Sequence, residues 1–285
     1  MNLVDSHVCE LAPYPGLLLG GKGPVVLTYL PDQGVVAACG TLDQIDRSCY
    51  ALQPGTSSAW QSMAPMVKDH CSGPHRTRSH YSKYFGWIVF GQDESCSNQE
   101  GFLVTETFTQ DQGWVEKSIH SPYTDFYPGA LCSVLIDDQS IMIIGGFTNK
   151  RAILSSNYIL NLGNSSWVKA TELLTSRNQH GCVVTADGEV MIAGGAYEKK
   201  SVDFYDASSS SWRQGQDLPI KMGNYGSPII KLWNFKPILM ESSTDKIWEM
   251  QGDGSWQLFN ISLGATFNGR TDNAVLVPAG KFKCP

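Results

Sequence analysis

Short apolar runs alternate with small polar turns along the whole chain, and residues 129–212 contain nearly the same pattern twice. The first copy reads GALCSVLIDDQSIMIIGGF and then SSNYILNLGNSSW, and the second reads HGCVVTADGEVMIAGGA and then SVDFYDASSSSW. In each copy an acidic turn separates two apolar runs, a glycine pair follows, and an alternating segment closes on Trp167 or Trp212. Period-two alternation between Gly, Asp and Ser turns indicates β-strands. Each copy therefore predicts four short strands.

The same unit recurs elsewhere in the chain. Residues 24–65 contain PVVLTYLPDQGVVAACGT and SCYALQPGTSSAW, and residues 76–114 and 224–256 repeat the pattern more loosely. The tryptophans that close the units, at positions 60, 114, 167, 212 and 256, are separated by 54, 53, 45 and 44 residues. These spacings are typical of the blades of repeat proteins. A four-stranded sheet cannot bury both faces alone, so the units must stack on one another.

A closed ring is the arrangement that satisfies such units. Val8 matches the position of the closing tryptophans and adds a sixth closing position to the five. We therefore predict one all-β domain over residues 1–285, a six-bladed β-propeller of four-stranded antiparallel blades. The N-terminal strand, residues 3–12, would complete the last blade begun by residues 270–285. Closure of the ring hides sheet edges that would otherwise pair with other chains.

The repeated unit resembles that of a known family. IMIIGGF and VMIAGGA, each followed by a turn and a closing tryptophan, together with VDFYDASSSSW and CYALQPGTSSAW, are similar to the kelch-repeat β-propellers. The resemblance is specific over residues 24–65 and 129–215, looser over 76–114, and weak at both ends. It implies a ring of blades and a habit of binding other molecules. Because kelch propellers include adaptor modules, cytoskeletal binders and a few enzymes, the resemblance does not fix the function.

Composition excludes several classes of function. The chain of 285 residues is 42% hydrophobic, which supports a full core, and its net charge of −6 argues against binding to a nucleic-acid backbone. No apolar run is long enough for membrane insertion. The first ten residues lack the basic and apolar regions of a signal peptide. The cysteines form no C-x-x-C pair and the six histidines include no adjacent pair, so we expect neither a metal nor another cofactor.

The eight cysteines suggest a disulfide framework. A bond between the two end segments would lock the ring, a second pair flanks a strand-to-strand turn in the first full blade, and two of the remaining cysteines form a third candidate pair. Two more cysteines occupy the same place in neighbouring blades and are expected to be free and buried. The predicted bonds are Cys9–Cys284, Cys39–Cys49 and Cys71–Cys96, and the predicted free cysteines are Cys132 and Cys182.

Two N-x-S sequons, at Asn164 and Asn260, are candidate glycosylation sites. Together with the cysteines and a charged fraction of only 17%, they favour an extracellular protein. A cytoplasmic location remains the alternative, because sequons occur by chance and a buried free cysteine behaves as a small hydrophobic residue.

Basic and aromatic residues gather at one predicted mouth of the central channel. This mouth is formed by the loops that lead into the inner strands and by the loops after the second strands. Arginine there can hold a carboxylate bidentately and tyrosine can stack on a ligand. The alternative is that each arginine pairs with a carboxylate or carbonyl of a neighbouring blade. The candidate ligand-binding residues are Arg76, Arg78, His80, Tyr127, Arg177, His180, Tyr225 and Arg270.

The pattern favours a non-enzymatic binding protein that recognises a protein, a peptide or a small anionic ligand at this mouth. One alternative is a sugar-modifying enzyme of the epimerase or mutarotase kind, which would use arginine and histidine of the same mouth as acid–base groups. A second alternative is a structural extracellular protein that assembles into oligomers through the sides of the ring.

Overall fold

A computed structural model describes residues 14–15, 26–41, 44–53, 59–68, 70, 77–91, 102–120, 122, 126–127, 130–148, 152–197, 199–221, 229–240 and 246–259. Within these residues the chain forms 22 strands. Twenty of them build five four-stranded antiparallel sheets, here called blades 1 to 5 in chain order. The described residues include no helix with the length and apolar character that a membrane span requires.

Each blade is built from strands that pair with their neighbours in sequence order. Blade 1 consists of β1 (Val26–Leu30), β2 (Val35–Thr41), β3 (Gln44–Leu52) and β4 (Gln61–Met63). Blade 2 consists of β5 (Thr77–Ser82), β6 (Gly86–Gly91), β7 (Phe102–Thr109) and β8 (Gly113–His120). In blade 3, β10 (Cys132–Asp137), β11 (Ser140–Ile144), β13 (Asn157–Asn161) and β14 (Ser166–Ala170) are flanked by a ribbon of β9 (Phe126–Tyr127) and β12 (Phe147–Thr148). Blade 4 consists of β15 (Gly181–Val184), β16 (Val190–Ala193), β17 (Val202–Asp206) and β18 (Ser211–Gln214). Blade 5 consists of β19 (Ile229–Trp233), β20 (Lys236–Met240), β21 (Ile247–Met250) and β22 (Trp256–Phe259).

The described residues form five blades, and the prediction of six is wrong. Each blade corresponds to one complete four-strand unit with its own closing tryptophan. The prediction of a sixth blade rests on Val8 and on residues 270–285, which together lack a complete four-strand pattern. A blade needs all its strands to cover the face of its neighbour, so an incomplete pattern does not justify another blade. The predicted closure by residues 3–12 and 270–285 lies outside the described residues.

The hydrophobic core lies between the blades. One cluster joins Val26 and Cys39 of blade 1 to Trp87 and Val89 of blade 2, and corresponding clusters join each later pair of consecutive blades. The second strands are the most deeply buried elements; in β16, for example, all four residues are buried. The apolar face of each blade is therefore removed from water only by its neighbour.

Two of the closing tryptophans also fasten the chain between blades. The indole Nε1 of Trp114 donates to the carbonyl of Ala64 at 3.0 Å, and that of Trp212 donates to the carbonyl of Thr171 at 3.0 Å. Both carbonyls follow the outer strand of the preceding blade. A buried indole needs a hydrogen-bond acceptor, and here the acceptor is the connection that enters the next blade.

The glycine pairs make room for the segment that leads into blade 4. Gly145 has a φ of 57°, and a Cβ there would lie 2.5 Å from the carbonyl oxygen of Arg177. The next residue, Gly146, donates its N–H to the same carbonyl at 2.8 Å. In blade 4, a Cβ at Gly195 would lie 3.0 Å from the carbonyl oxygen of Asn178. The pairs serve close backbone packing, which no residue with a side chain allows.

Two disulfides occur in the described residues. The structure joins Cys39 to Cys49 on adjacent strands of blade 1, as the sequence predicts. It also joins Cys132 to Cys182, so the prediction that these two are free is wrong. They lie on the neighbouring inner strands β10 and β15 with their Cα atoms 6.0 Å apart, which is a usual disulfide separation. The predicted Cys9–Cys284 and Cys71–Cys96 bonds fall outside the described residues.

Candidate functional site in the central channel

The inner strands of the five blades line a central channel with a cavity of about 300 Å³. β1, β5, β10, β15 and β19 lie side by side in this order. Cavities of this size are at the small end of those that hold ligands in proteins. The polar or reactive side chains that line it are Thr77, Arg78, Ser79, His80, Cys132, Ser133, His180, Cys182 and Lys231.

β5 uses alternate side chains to contact blade 3. Arg78 donates from Nη2 to the carbonyl oxygen of Leu131 at 2.5 Å, and the Nε2 of His80 lies 2.9 Å from the Oγ of Ser133. Successive residues of a strand point to opposite sides, so residues two apart meet the same neighbour. The guanidinium and imidazole that line the channel are therefore held in place by the adjoining blade.

The intervening residues of β5 contact blade 1. The Oγ of Ser79 donates to the carbonyl of Leu27 at 3.5 Å, and the hydroxyl of Tyr81 donates to the carboxylate of Asp32. Burial, together with the hydrogen bond to Asp32 and the negative charge of this carboxylate, raises the pKa of Tyr81 to about 12. The hydroxyl of Tyr81 is thus a hydrogen-bond donor that ties two blades together.

His80 is a neutral imidazole. Its ring stacks on Phe90 with the ring centroids 5.8 Å apart, and its Nε2 contacts Ser133. Burial lowers the pKa of His80 to about 3, and the positive charges of Lys231 and Arg78 contribute to the shift. At neutral pH the ring therefore offers one N–H donor and one nitrogen acceptor, without charge.

The channel wall is positively charged although the whole chain carries a net charge of −6. Arg78 from β5 and Lys231 from β19 both line the cavity. None of the lining residues in the described part of the chain is an aspartate or a glutamate. Both cations lie near enough to His80 to add to the lowering of its pKa by burial. Such a wall attracts negatively charged ligands.

Arg177 has a structural position behind the wall. Its side chain is 1% exposed, and its Nη2 lies 2.5 Å from a carboxylate oxygen of Asp203 in blade 4. Its Nη1 also donates to the carbonyls of Gly194 at 2.9 Å and Ser201 at 2.7 Å. Arg177 therefore pairs with a carboxylate and two carbonyls of blade 4, the blade that its segment enters.

His180 lies at the channel wall where blades 3 and 4 meet. The residue is 2% exposed, and a Cβ at Gly145 would come within 3.1 Å of its Cε1. Its position next to the glycine pairs means that substitutions there act on packing as well as on the channel.

The other predicted site residues are placed only in part. Arg76, Tyr225, Arg270 and Asn260 lie outside the described residues. Tyr127 belongs to β9, whose backbone pairs with Phe147 of β12. Asn164 is exposed in the turn between β13 and β14, and its Oδ1 accepts hydrogen bonds from the backbone N–H and the hydroxyl of Ser166 at 3.1 and 2.7 Å.

Sequence reasoning missed Lys231 and Ser133. Lys231 lies in the middle of the apolar inner strand IIKLW, and a single lysine within such a strand is the signal that could have identified it. Ser133 follows Cys132 in CSVLI and has no distinguishing sequence pattern. Within the described part of the chain, no group of three or more His, Cys, Asp or Glu residues is arranged to hold a metal ion.

Comparison with known proteins supports the fold. No protein-family model matches the sequence, and no curated protein matches it either. Solved structures do match: one described as "Structure of YjhT" superposes with a TM-score of 0.61 and covers 88% of this chain and 85% of its own, at 12% sequence identity. The chain is a β-propeller. At this identity the likeness concerns the fold alone.

Proposed function

We propose that the protein binds a small anionic ligand in its central channel and does not transform it. The observation that carries this proposal is the pair of cations, Arg78 and Lys231, on a described channel wall without a carboxylate. A low-dielectric cavity strengthens the attraction between these cations and a negative charge. The volume of about 300 Å³ suits a small molecule with one or two anionic groups.

The wall would orient the ligand as well as attract it. Arg78 is anchored by the carbonyls of Leu131 and Thr77, so its guanidinium has a fixed direction. The neutral pair of His80 and Ser133 adds uncharged hydrogen-bonding groups beside the cations. Groups that are already ordered before binding lose little entropy when the ligand arrives. We expect a carboxylate or phosphate to contact Arg78 and Lys231.

Calorimetric titration at low salt tests the proposal, with inorganic phosphate, citrate and glucuronate as probes. Lys231→Met should weaken binding of the best probe by about tenfold or more, because one of two cations is lost. Lys169→Met is the matched control, since it removes the same charge from β14, where Lys169 pairs with Glu172 at 3.0 Å. Binding that is equal in both variants, or absent for every probe, contradicts the proposal.

A sugar-modifying activity of the epimerase or mutarotase kind is the second candidate. The observation that favours it is the uncharged imidazole of His80 at the channel, which can accept a proton at neutral pH. A pKa near 3 makes this imidazole a weak base, which is why binding ranks first. Substituting His80 and His180 with Ala separates the two: an enzyme loses turnover of a sugar acid and keeps most of its binding, whereas a binder changes only in affinity.

We further propose that the chain is a kelch-type propeller of the extracellular space. The glycine pairs followed by closing tryptophans support the first point, and two disulfides support the second, because disulfides persist mainly in oxidising compartments. Mass spectrometry of the protein from its natural source, before and after reduction and glycan removal, tests the location. A glycan on Asn164 and bonded cysteines are expected; free thiols and no glycan contradict it.

A further inference from the structure

A second cavity lies between blades 4 and 5, on the face of the ring where the hairpin turns project. Its volume is about 380 Å³. Blade 4 contributes the segment around Glu189 and the side chains of Phe204 and Arg213, and blade 5 contributes Phe235 and residues 250–254. This groove is separate from the central channel, because the two cavities share no described lining residue.

Phe235 is displayed at the rim of this groove in an unusual backbone conformation. It is 81% exposed, and both Asn234 and Phe235 have positive φ, 45° and 64°. The two residues form the tight turn between β19 and β20, a kind of turn that favours glycine at its second position. A bulky residue with positive φ is strained, and exposure of its ring gains no packing energy.

The other inner hairpins show what the fold normally requires. Gly34, Gly86 and Gly188 occupy left-handed positions in the inner hairpins of blades 1, 2 and 4, with φ of 67°, 71° and 83°. Among the described inner hairpins, that of blade 5 has an aromatic residue, Phe235, in the left-handed position. A residue that costs stability in two ways and contributes no core contact is a candidate for a binding role.

The floor of the groove is aromatic and polar together. The guanidinium of Arg213 lies 4.3 Å from the centre of the Phe204 ring, and its Nε donates to Glu189 at 3.1 Å. The ring of Phe204 lies so close to the backbone at Gly215 that any Cβ there would collide with it. At Gly254 in the opposite wall, a Cβ would have no atom within 4 Å. The floor is thus tightly packed at Gly215, whereas the wall near Gly254 is open.

The two cations around the groove are already paired with carboxylates. Arg213 binds Glu189, and Lys236 lies 2.6 Å from Glu249. An anionic ligand would have to compete with these partners and would meet the carboxylates of Asp187 and Asp253, which also line the groove, so a ligand with hydroxyl donors and no negative charge is favoured. Planar hydrogen-bonding side chains line the groove as well, among them Gln216, Gln251 and Asp187.

We propose that this groove binds a neutral saccharide, with the ring of Phe235 stacked against the C–H face of a sugar. An aromatic face and a sugar ring offer each other flat apolar surfaces. Amide and carboxylate groups each present two hydrogen-bonding atoms at the spacing of adjacent hydroxyls. A single exposed ring above a polar floor suits a sugar better than a peptide, which needs adjoining apolar pockets for its anchor side chains.

The test uses the whole protein with maltotetraose, cellotetraose and tetra-N-acetylchitotetraose as probes, followed by calorimetry or saturation-transfer NMR. We expect at least one probe to bind at millimolar concentration. Phe235→Gly should reduce the affinity about tenfold or more while the Tm stays equal or rises, because glycine relieves the strained turn. An ordinary structural residue would not combine lost binding with retained or increased stability.

Tyr84→Gly is the matched control, because Tyr84 is a 61% exposed aromatic residue in the inner hairpin of blade 2. It should bind the saccharide like the natural chain, and so should Lys231→Met, which alters only the channel. The proposal is overturned if no probe binds at millimolar concentration, if Phe235→Gly keeps full affinity, or if Tyr84→Gly loses as much.

Discussion

The Nε2 of His80 in blade 2 and the Oγ of Ser133 in blade 3 lie 2.9 Å apart, and both residues line the central channel. One contact therefore joins two blades and forms part of the surface that a ligand would meet. The same holds for the Cys132–Cys182 bond between blades 3 and 4. In this propeller the inner strands provide both the seams of the ring and its candidate site.

Stability should fall in acid because of His80. Its folded-state pKa, about 3, lies below the usual value of 6.5, so the unfolded chain binds more protons between these values. The stabilisation is therefore complete above pH 6.5 and is lost as the pH falls towards 3. Denaturant unfolding of the natural chain and of His80→Gln at several pH values measures this. The natural chain should lose more stability than the variant on acidification. Equal losses of unfolding free energy in the two proteins would contradict a role of His80.

Removal of the Cys132–Cys182 bond should destabilise more than removal of the Cys39–Cys49 bond. The first closes a sequence separation of 50 residues and the second one of 10. In the chain-entropy model these losses are about 4 and about 3 kcal/mol. Guanidinium unfolding of the two double Cys→Ser variants gives the comparison. The opposite order would show that loop entropy does not dominate here.

Breaking the ion pair of Arg177 and Asp203 should lower the free energy of unfolding and leave anion binding in the channel unchanged. The two side chains are 1% and 3% exposed, so Asp203→Asn leaves a buried guanidinium without its counter-charge. Loss of one partner of such a pair costs roughly 3–5 kcal/mol. Arg177→Met combined with Asp203→Leu should cost less than the sum of the two single changes. Additive losses in this double-mutant cycle would argue against direct coupling.

Gly145→Ala should be more damaging than Gly34→Ala, although both glycines have positive φ, 57° and 67°. A left-handed backbone alone costs a residue with a Cβ about 1–2 kcal/mol. At Gly145 the new Cβ would also lie 2.5 Å from the carbonyl of Arg177, whereas at Gly34 nothing lies within 4 Å. The difference in Tm between the two variants measures the destabilisation caused by the steric clash with the carbonyl of Arg177. Equal losses would mean that the loop at Arg177 can move away.

Much of the fold was predictable from the chain. The closing tryptophans, such as Trp167 and Trp212, follow the spacing of real blades, and the alternating runs between them are the observed strands. The count of six was wrong because Val8 and residues 270–285 resemble parts of a unit without completing its four strands. Repeats mark blades only when all strands of the unit are present.

The site was less predictable, because local sequence does not reveal which neighbour a side chain meets. Arg78 and Arg177 both precede or begin inner strands, yet one lines the channel and the other is buried against Asp203. Cys132 and Cys182 hold equivalent places in two repeats. Their bond follows from the lateral contact of β10 and β15, which requires the ring itself.

Crystals of the protein soaked in sodium bromide would test the proposed anion site most directly, through the anomalous signal of the ion. We expect a bromide peak inside the channel, in contact with Arg78 and Lys231, and its loss in crystals of Lys231→Met. Bromide found only on the outer surface of the ring, with an empty channel, would contradict the proposal that the channel binds anions.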